Sequence, residues 1–327
     1  MGQNAPMHPD KSPRIVAIRP LRQAPRQLSW GDGTEDDMTV MHDMHCHLGF
    51  MENAEEVAAD ALAAGTRLFA NTVTPVEWAR MGKLFAGSGN VTVGFGMHPW
   101  WIAGDQDDNG ARIAERPRGT SQRAFRKEMR QRSETPMKRG AGAIGPEAEA
   151  QRREILELLE EHDPAILGEV GLDFGWSHFT TRESQLAIFE AIATWAAKRD
   201  GKLLSLHAVK SAPECVDVLE RSGALESCTC IFHWFTGPSD LLKHVIKAGC
   251  FFSCGPRMLE TGKGREYVKA IPVQQLLLET DAPPEQGTPY SYDELRAELE
   301  GAANAIAAIK GAGALDVIAR TSERLLG

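Results

Sequence analysis

From residue 40 onward, short runs rich in β-branched and apolar residues alternate with longer helical stretches, and this alternation constrains the fold more than any other feature of the chain. The strand candidates are "VMHDMHCH" (40 to 47), "RLFANTV" (67 to 73), "VTVGFGMH" (91 to 98), "AILGEVGLD" (165 to 173), "KLLSLHAV" (202 to 209), "TCIFHW" (229 to 234), "CFFSCG" (250 to 255) and "QLLLETDA" (275 to 282). Between them lie helical patterns such as "AEEVAADALAAG", "SQLAIFEAIATWAAKR" and "PSDLLKHVIKAG", the first and third ending in the glycine expected just past a helix. Strand followed by helix, repeated eight times, predicts an α/β protein of the (β/α)8 TIM-barrel type.

Two segments fall outside this rhythm. Residues 1 to 38 read as a poorly structured N-terminal extension, and residues 39 to 327 as the barrel domain. Residues 104 to 150 are charged and glycine-punctuated, so they read as an insertion in the loop between strands 3 and 4. Its middle, "SQRAFRKEMRQRSE", can form a basic helix; the segment is either a solvated excursion or a lid or phosphate-binding arm at the barrel mouth.

Composition narrows the partners. With 42% hydrophobic and 25% charged residues the chain is globular, and a formal net charge of -9 disfavours general attraction to polyanions. Nucleic-acid contact would need a local basic patch or bound cations. Six cysteines lie in apolar, strand-like runs without a C-x-x-C pair, which predicts reduced thiols. No signal-like or membrane-spanning apolar run is found, so a cytoplasmic setting with no membrane partner and no obligate protein partner is expected.

The chemistry lies in polar residues that interrupt the apolar strands. In "TVMHDMHCHLGF", residues 39 to 50, alternation puts Asp43, His45 and His47 on one face and His42, Met44 and Cys46 on the other. His42 is therefore assigned to packing or to the surface. Strand 4 is expected to end in Glu169, strand 5 in His207, strand 6 in His233 and strand 8 in Asp281. Buried unpaired carboxylates and imidazoles cost several kcal/mol or change protonation, and one shared cation charge accounts for all of them. His45, His47, Glu169, His207, His233 and Asp281 exceed the needs of one tetrahedral ion with an open position. Two divalent ions are the economical reading, bridged by Glu169, with His45, His47 and Asp281 around one and His207 and His233 around the other. A hydroxide bridging ions about 3.5 to 4 Å apart is a nucleophile at neutral pH. Zinc, manganese or magnesium suits this donor set.

These motifs also resemble the TatD-like metal-dependent hydrolases of the amidohydrolase superfamily. The likeness covers roughly residues 40 to 100 and 151 to 327 and rests on "DMHCHL", "GMHPW", "GEVGLDF", "HAVKSA", "FHWFTG", "FFSCGPRML" and "LLLETDAPP". It implies a barrel with a binuclear centre on the same six residues, Asp281 as the proton acceptor for the attacking water, and phosphodiester hydrolysis at nucleic-acid ends as the leading activity. One departure stands out. Where the family often reads H-x-R-D after the fifth-strand histidine, Val209 and Lys210 follow Ala208 here, and Lys210 supplies only a point charge where arginine would clamp two oxygens.

Other residues have expected supporting roles. His98 is a candidate substrate contact that the metal shell does not need, and Arg257 and Lys210 are candidate cations for an anionic substrate. Asp43 and Asp173 are expected to hold neighbouring ligands or loops in position. Trp100, Trp101, Trp176 and Trp234, just beyond strand ends, can either stack on a base or cap the mouth. The alternative activities are hydrolysis of small amides, esters or lactones, and a catalytically silent, metal-stabilised barrel that serves in docking.

Overall fold

The computed structural model of the protein describes residues 40–103, 144–175, 178 and 181–327. Its strands are β1 (Asp43–Cys46), β2 (Leu68–Asn71), β3 (Val91–Met97), β4 (Ile166–Asp173), β5 (Leu203–Val209), β6 (Thr229–His233), β7 (Phe251–Cys254) and β8 (Leu276–Leu278), paired in that order and all parallel. Parallel neighbours need a return path, and the helices between strands provide it. The result is the predicted (β/α)8 barrel. Its seam is sewn by the segment after β8, where Asp281 N donates to His45 O and His47 N donates to Ala282 O, both at 2.8 Å.

Alternation along the strands builds two apolar layers. Outward residues such as Leu204, Leu206, Phe232 and Phe252 pack against the helices, while Met44, Phe69, Leu203, Ile231, Phe251 and Leu277 fill the interior, joined by Leu325 from the C-terminal helix Ala314–Leu326. This floor explains where the polar residues go. Reading inward positions from floor to mouth, β5 runs Leu203, Ser205, His207, β6 runs Ile231, His233, and β7 runs Phe251, Ser253. Each ladder turns polar only above the packed layer, at the C-terminal ends of the strands.

The alternation is broken in two strands. Asp43 to Cys46 of β1 spans one residue more than its partner stretch Leu68 to Ala70 of β2, and Leu167 to Val170 of β4 spans one more than Phe95 to Met97 of β3 and Leu204 to Leu206 of β5. An extra residue on one strand re-aims the side chains beyond it. Strict parity therefore fails at Met44, which joins the interior while Cys46 packs outward. His42 packs as expected, its Nδ1 accepting from Arg67 N at 3.1 Å. Glu169 lies within β4 at the irregularity rather than at its end, and β8 stops at Leu278, so Asp281 stands in the turn beyond it.

Local chemistry sets the helix boundaries. Thr74 caps the helix Pro75–Leu84 by accepting from Glu77 N, and Ser291 and Glu294 form a reciprocal capping box at the start of Tyr292–Lys310. Gly65 and Gly249 follow the helices Ala54–Ala63 and Ser239–Lys247 with positive φ, as the sequence pattern requires. The helix before β4, Pro146–His162, begins inside the boundary expected for the insertion and buries Ala148, so the helical layer starts earlier than residue 151. The N-terminal extension (1 to 38) and residues 104 to 143 of the insertion lie outside the described residues. All six cysteines are free thiols. Among the described residues, no helix is long and apolar enough to cross a membrane.

Candidate metal centre

The two histidines of β1 are oriented from behind. His47 Nδ1 lies 3.1 Å from the carbonyl oxygen of Asn71, which can only accept, so the ring hydrogen sits on Nδ1 and Nε2 keeps its lone pair. That lone pair is 3.4 Å from both Glu169 Oε2 and Asp281 Oδ1. His45 pairs through Nδ1 with Ser205 Oγ at 3.1 Å, leaving Nε2 3.5 Å from Glu169 Oε2 and 3.9 Å from Asp281 Oδ1. His45 Nε2 is buried with no hydrogen-bond partner. A lone pair and two carboxylate oxygens converging on one dry point lack a positive centre, and a divalent cation is the species that fits them.

Glu169 occupies the middle, with 1% of its surface exposed. Its two oxygens face different histidines. Oε2 is directed at His45, His47 and His98 at 3.5, 3.4 and 3.6 Å, whereas Oε1 is 2.6 Å from His207 Nδ1 and 3.3 Å from His233 Nε2. Burial alone would raise its pKa, but the charges of His207 and His233 hold the carboxyl well below the usual range. Among the described residues, three groups bring ligand atoms within 4.8 Å of one another: His45, His47 and Glu169; His45, His233 and Asp281; and His98, Glu169 and His207. All six sequence-predicted ligands thus meet, and His98 joins them.

The tautomer of His98 separates its role from theirs. Its Nδ1 accepts the backbone N–H of Trp100 at 3.1 Å, so the neutral ring carries its hydrogen on Nε2. Burial lowers its pKa well below 6.5 and keeps it neutral. His98 therefore offers a hydrogen-bond donor rather than a ligand lone pair.

The supporting residues are partly those expected. Asp173 Oδ2 lies 3.3 Å from His207 Nε2 and accepts from Trp100 Nε1 at 2.6 Å; burial opposes its ionisation, yet the His207 hydrogen bond brings its pKa down to about 2. Asp43 contacts no ligand ring. Its carboxylate accepts from His45 N, Thr280 N and Thr280 Oγ1, fastening β1 to the turn that carries Asp281, and burial lifts its pKa to about 7. Arg257 Nη1 is 3.5 Å from Asp281 Oδ2, and Lys210 is exposed just past β5. Sequence reasoning missed Glu279, Ser205 and Asn71. Glu279 Oε1 lies 3.5 Å from His233 Nδ1, and its other oxygen accepts from Ser253 Oγ. The signal was present: Leu277 to Glu279 and Leu203 to Ser205 continue the inward alternation from floor to site.

Residues 42–325 match the family model of the TatD related DNases. The chain belongs to this family. Its TatD relatives include an uncharacterized metal-dependent hydrolase TatD of Mycobacterium tuberculosis, 31% identical over 140 residues that make up 41% of this chain and 52% of that protein. The deoxyribonuclease TATDN3 of Homo sapiens is 28% identical over 181 residues, 52% of this chain and 62% of the relative. The matched stretches thus span between half and two thirds of these relatives' lengths. The crystal structure of a hydrolase TatD family protein from Entamoeba histolytica superposes with a TM-score of 0.61 at 15% identity, covering 88% of this chain and 98% of the other. That of YJJV, a TatD homolog from Escherichia coli, does so with a TM-score of 0.60 at 17% identity, covering 87% and 97%. These likenesses establish the TatD barrel fold.

Proposed function

We propose that this TatD-family chain is a two-metal hydrolase that cleaves phosphodiesters at nucleic-acid ends. The observation that carries the metal pair is the division of labour at Glu169, whose Oε2 faces His45 and His47 while Oε1 faces His207 and His233. A carboxylate with one oxygen toward each histidine pair is suited to bridge two cations. His45, His47 and Asp281 would complete one site, and His207 and His233 the other. Divalent ions bound there supply an activated water at neutral pH and positive charge against phosphoryl oxygens. Kinship with deoxyribonucleases such as human TATDN3 favours phosphodiesters as substrate.

The chain's own groups then have defined tasks. Asp281 stands at the mouth with its side chain 21% exposed; burial would raise its pKa, but the neighbouring His47 and the charge of His233 keep it ionised. It can accept the proton of the attacking water at a carboxylate oxygen and pass it to the leaving group. His98 Nε2–H is available to donate to a substrate oxygen, and Arg257 can turn from Asp281 toward phosphate.

The reading is tested by loading the protein with zinc, manganese or magnesium and screening single-stranded oligonucleotides beside a panel of amides, lactones and phosphate esters. We expect oligonucleotides to shorten from an end and elemental analysis to count two ions per chain. Hydrolysis confined to amides or lactones, or one ion per chain unchanged by the double substitution His207→Ala with His233→Ala, would refute it.

A further inference from the structure

Beside the metal centre stands a wall of aromatic rings that the hydrolytic machinery does not use. Trp100 and Trp101 are 53% and 37% exposed, the only aromatic side chains among the exposed large hydrophobic residues described. Solitary exposed apolar residues need no explanation, but a pair of indoles held side by side does. Their ring centroids are 6.2 Å apart with planes 18° from parallel. The row continues on both sides: Trp100 stacks on His178 at 5.0 Å, and Trp101 meets Phe50 at 6.1 Å, which stacks on His47 at 5.0 Å.

The Trp100 indole is fixed by a polar anchor and Trp101 through its backbone, rather than by burial. Trp100 Nε1 donates to Asp173 Oδ2, and the short helical turn Pro99–Trp101 is capped by His98, which accepts from Trp100 N through Nδ1 and from Trp101 N through its carbonyl. Gln151 Nε2 donates to Trp101 O at 3.0 Å. Side chains that merely covered the barrel mouth would be buried by what they cover. These are pre-ordered yet open, the condition under which a ring binds a partner without losing further conformational freedom.

We propose that Trp100 and Trp101 form a stacking subsite for an unpaired nucleobase adjacent to the phosphodiester being cleaved. The proposal rests on the phosphodiesterase reading above and narrows it to single-stranded or frayed ends, because a paired base has no free face. Three observations select a base. The row begins at His47 and at the Asp173–His207 contact, so its occupant is continuous with the bond at the metal centre. Strands β3 and β7 stand opposite in an eight-stranded ring, which puts Arg257, after β7, across the mouth from the indoles, after β3. A nucleotide spanning the mouth would thus place its base and its phosphate against different walls. Finally, a chain of net charge -9 gains little from general attraction to nucleic acid, and stacking, which every base can supply, is the complementary source of affinity.

The test compares labelled single-stranded oligonucleotides carrying normal or abasic terminal nucleotides, bound and cleaved by the metal-loaded full chain. Binding is read by anisotropy and by quenching of tryptophan fluorescence. One base–indole stack corresponds to about a tenfold preference for the normal end. In Trp101→Ala the preference should collapse to within about twofold, while Trp101→Phe, which keeps a ring, should retain most of it. Cleavage of both oligonucleotides by the unaltered chain with no base preference would overturn the subsite and leave the phosphodiesterase reading standing. So would a preference that persists undiminished in Trp101→Ala. If neither oligonucleotide is bound or cleaved while amides or lactones are hydrolysed, both proposals fall. Absence of a base preference on the unaltered chain overturns the subsite whether or not either variant folds.

Discussion

Loading metal into the metal-free protein should expel protons, and the charges around Glu169 set their number. Burial works against a charged His207, but the Glu169 charge and its hydrogen bonds to Asp173 and Glu169 hold its pKa at about 9. His233 is buried too, and the charges of Glu279 and Glu169 lift it to about 10. Both rings are protonated at pH 7, and each must lose a proton to offer a lone pair. About two protons per chain should therefore leave on loading, and the apparent affinity should rise about a hundredfold per pH unit. Between pH 6.5 and 8.5 that is about 10⁴-fold, or about 5 kcal/mol at 1.36 kcal/mol per proton and pH unit. Calorimetric titration of chelator-stripped protein in buffers of different ionisation enthalpy reads the protons directly, and Glu169→Gln should reduce the count. Stability carries the opposite sign in the metal-free chain. Groups whose folded pKa lies above the unfolded value of about 6.5 stabilise fully below that pH, and the contribution is lost as pH rises through 9 to 10. The stripped protein should thus melt at lower temperature at pH 9 than at pH 6.5, while the loaded protein binds its ions more tightly. Heats independent of buffer, with melting insensitive to pH, would refute the charge assignment.

Three further outcomes are expected. Asp281 has a φ of 59°, a left-handed conformation that asparagine also tolerates, so Asp281→Asn should fold and bind metal yet turn over oligonucleotides about 10²- to 10⁴-fold more slowly at saturating metal; near-full turnover would make Asp281 structural rather than the proton acceptor. Glu279→Ala should weaken metal binding by about 10- to 100-fold by releasing His233, with Glu279→Gln falling between; unchanged titrations would show that Glu279 does not orient the ring. Leu277→Ala, at the barrel floor, should cost about 2 to 5 kcal/mol in urea unfolding, and a loss under about 1 kcal/mol would mean that the floor is loosely packed.

Periodicity made the barrel legible, because a strand buried on both faces reads as an apolar run and a helix returning over it reads as an amphipathic one. The candidate ligands were legible for the same reason. Glu169, His207 and His233 interrupt runs that should have none, and a buried polar group needs a partner whatever the fold. His45 and His47 were found by spacing, yet the parity argument that paired them misplaced Met44, since a register shift is a property of two strands together and leaves no mark on one. Asp281 shows the limit differently: the chain named the residue, but its approach to His47 depends on the turn beyond β8 being tied to β1 through Asp43 and Thr280, residues far apart in sequence. His98 and Glu279 needed the structure most, because their roles follow from which nitrogen faces which oxygen. Sequence alone thus determined the architecture and the inventory of reactive groups, through patterns that each segment carries by itself. Tertiary structure decided how those groups share Glu169, which tautomer each ring adopts and where the indoles stand, because those are distances and angles between strands that only closure of the barrel creates.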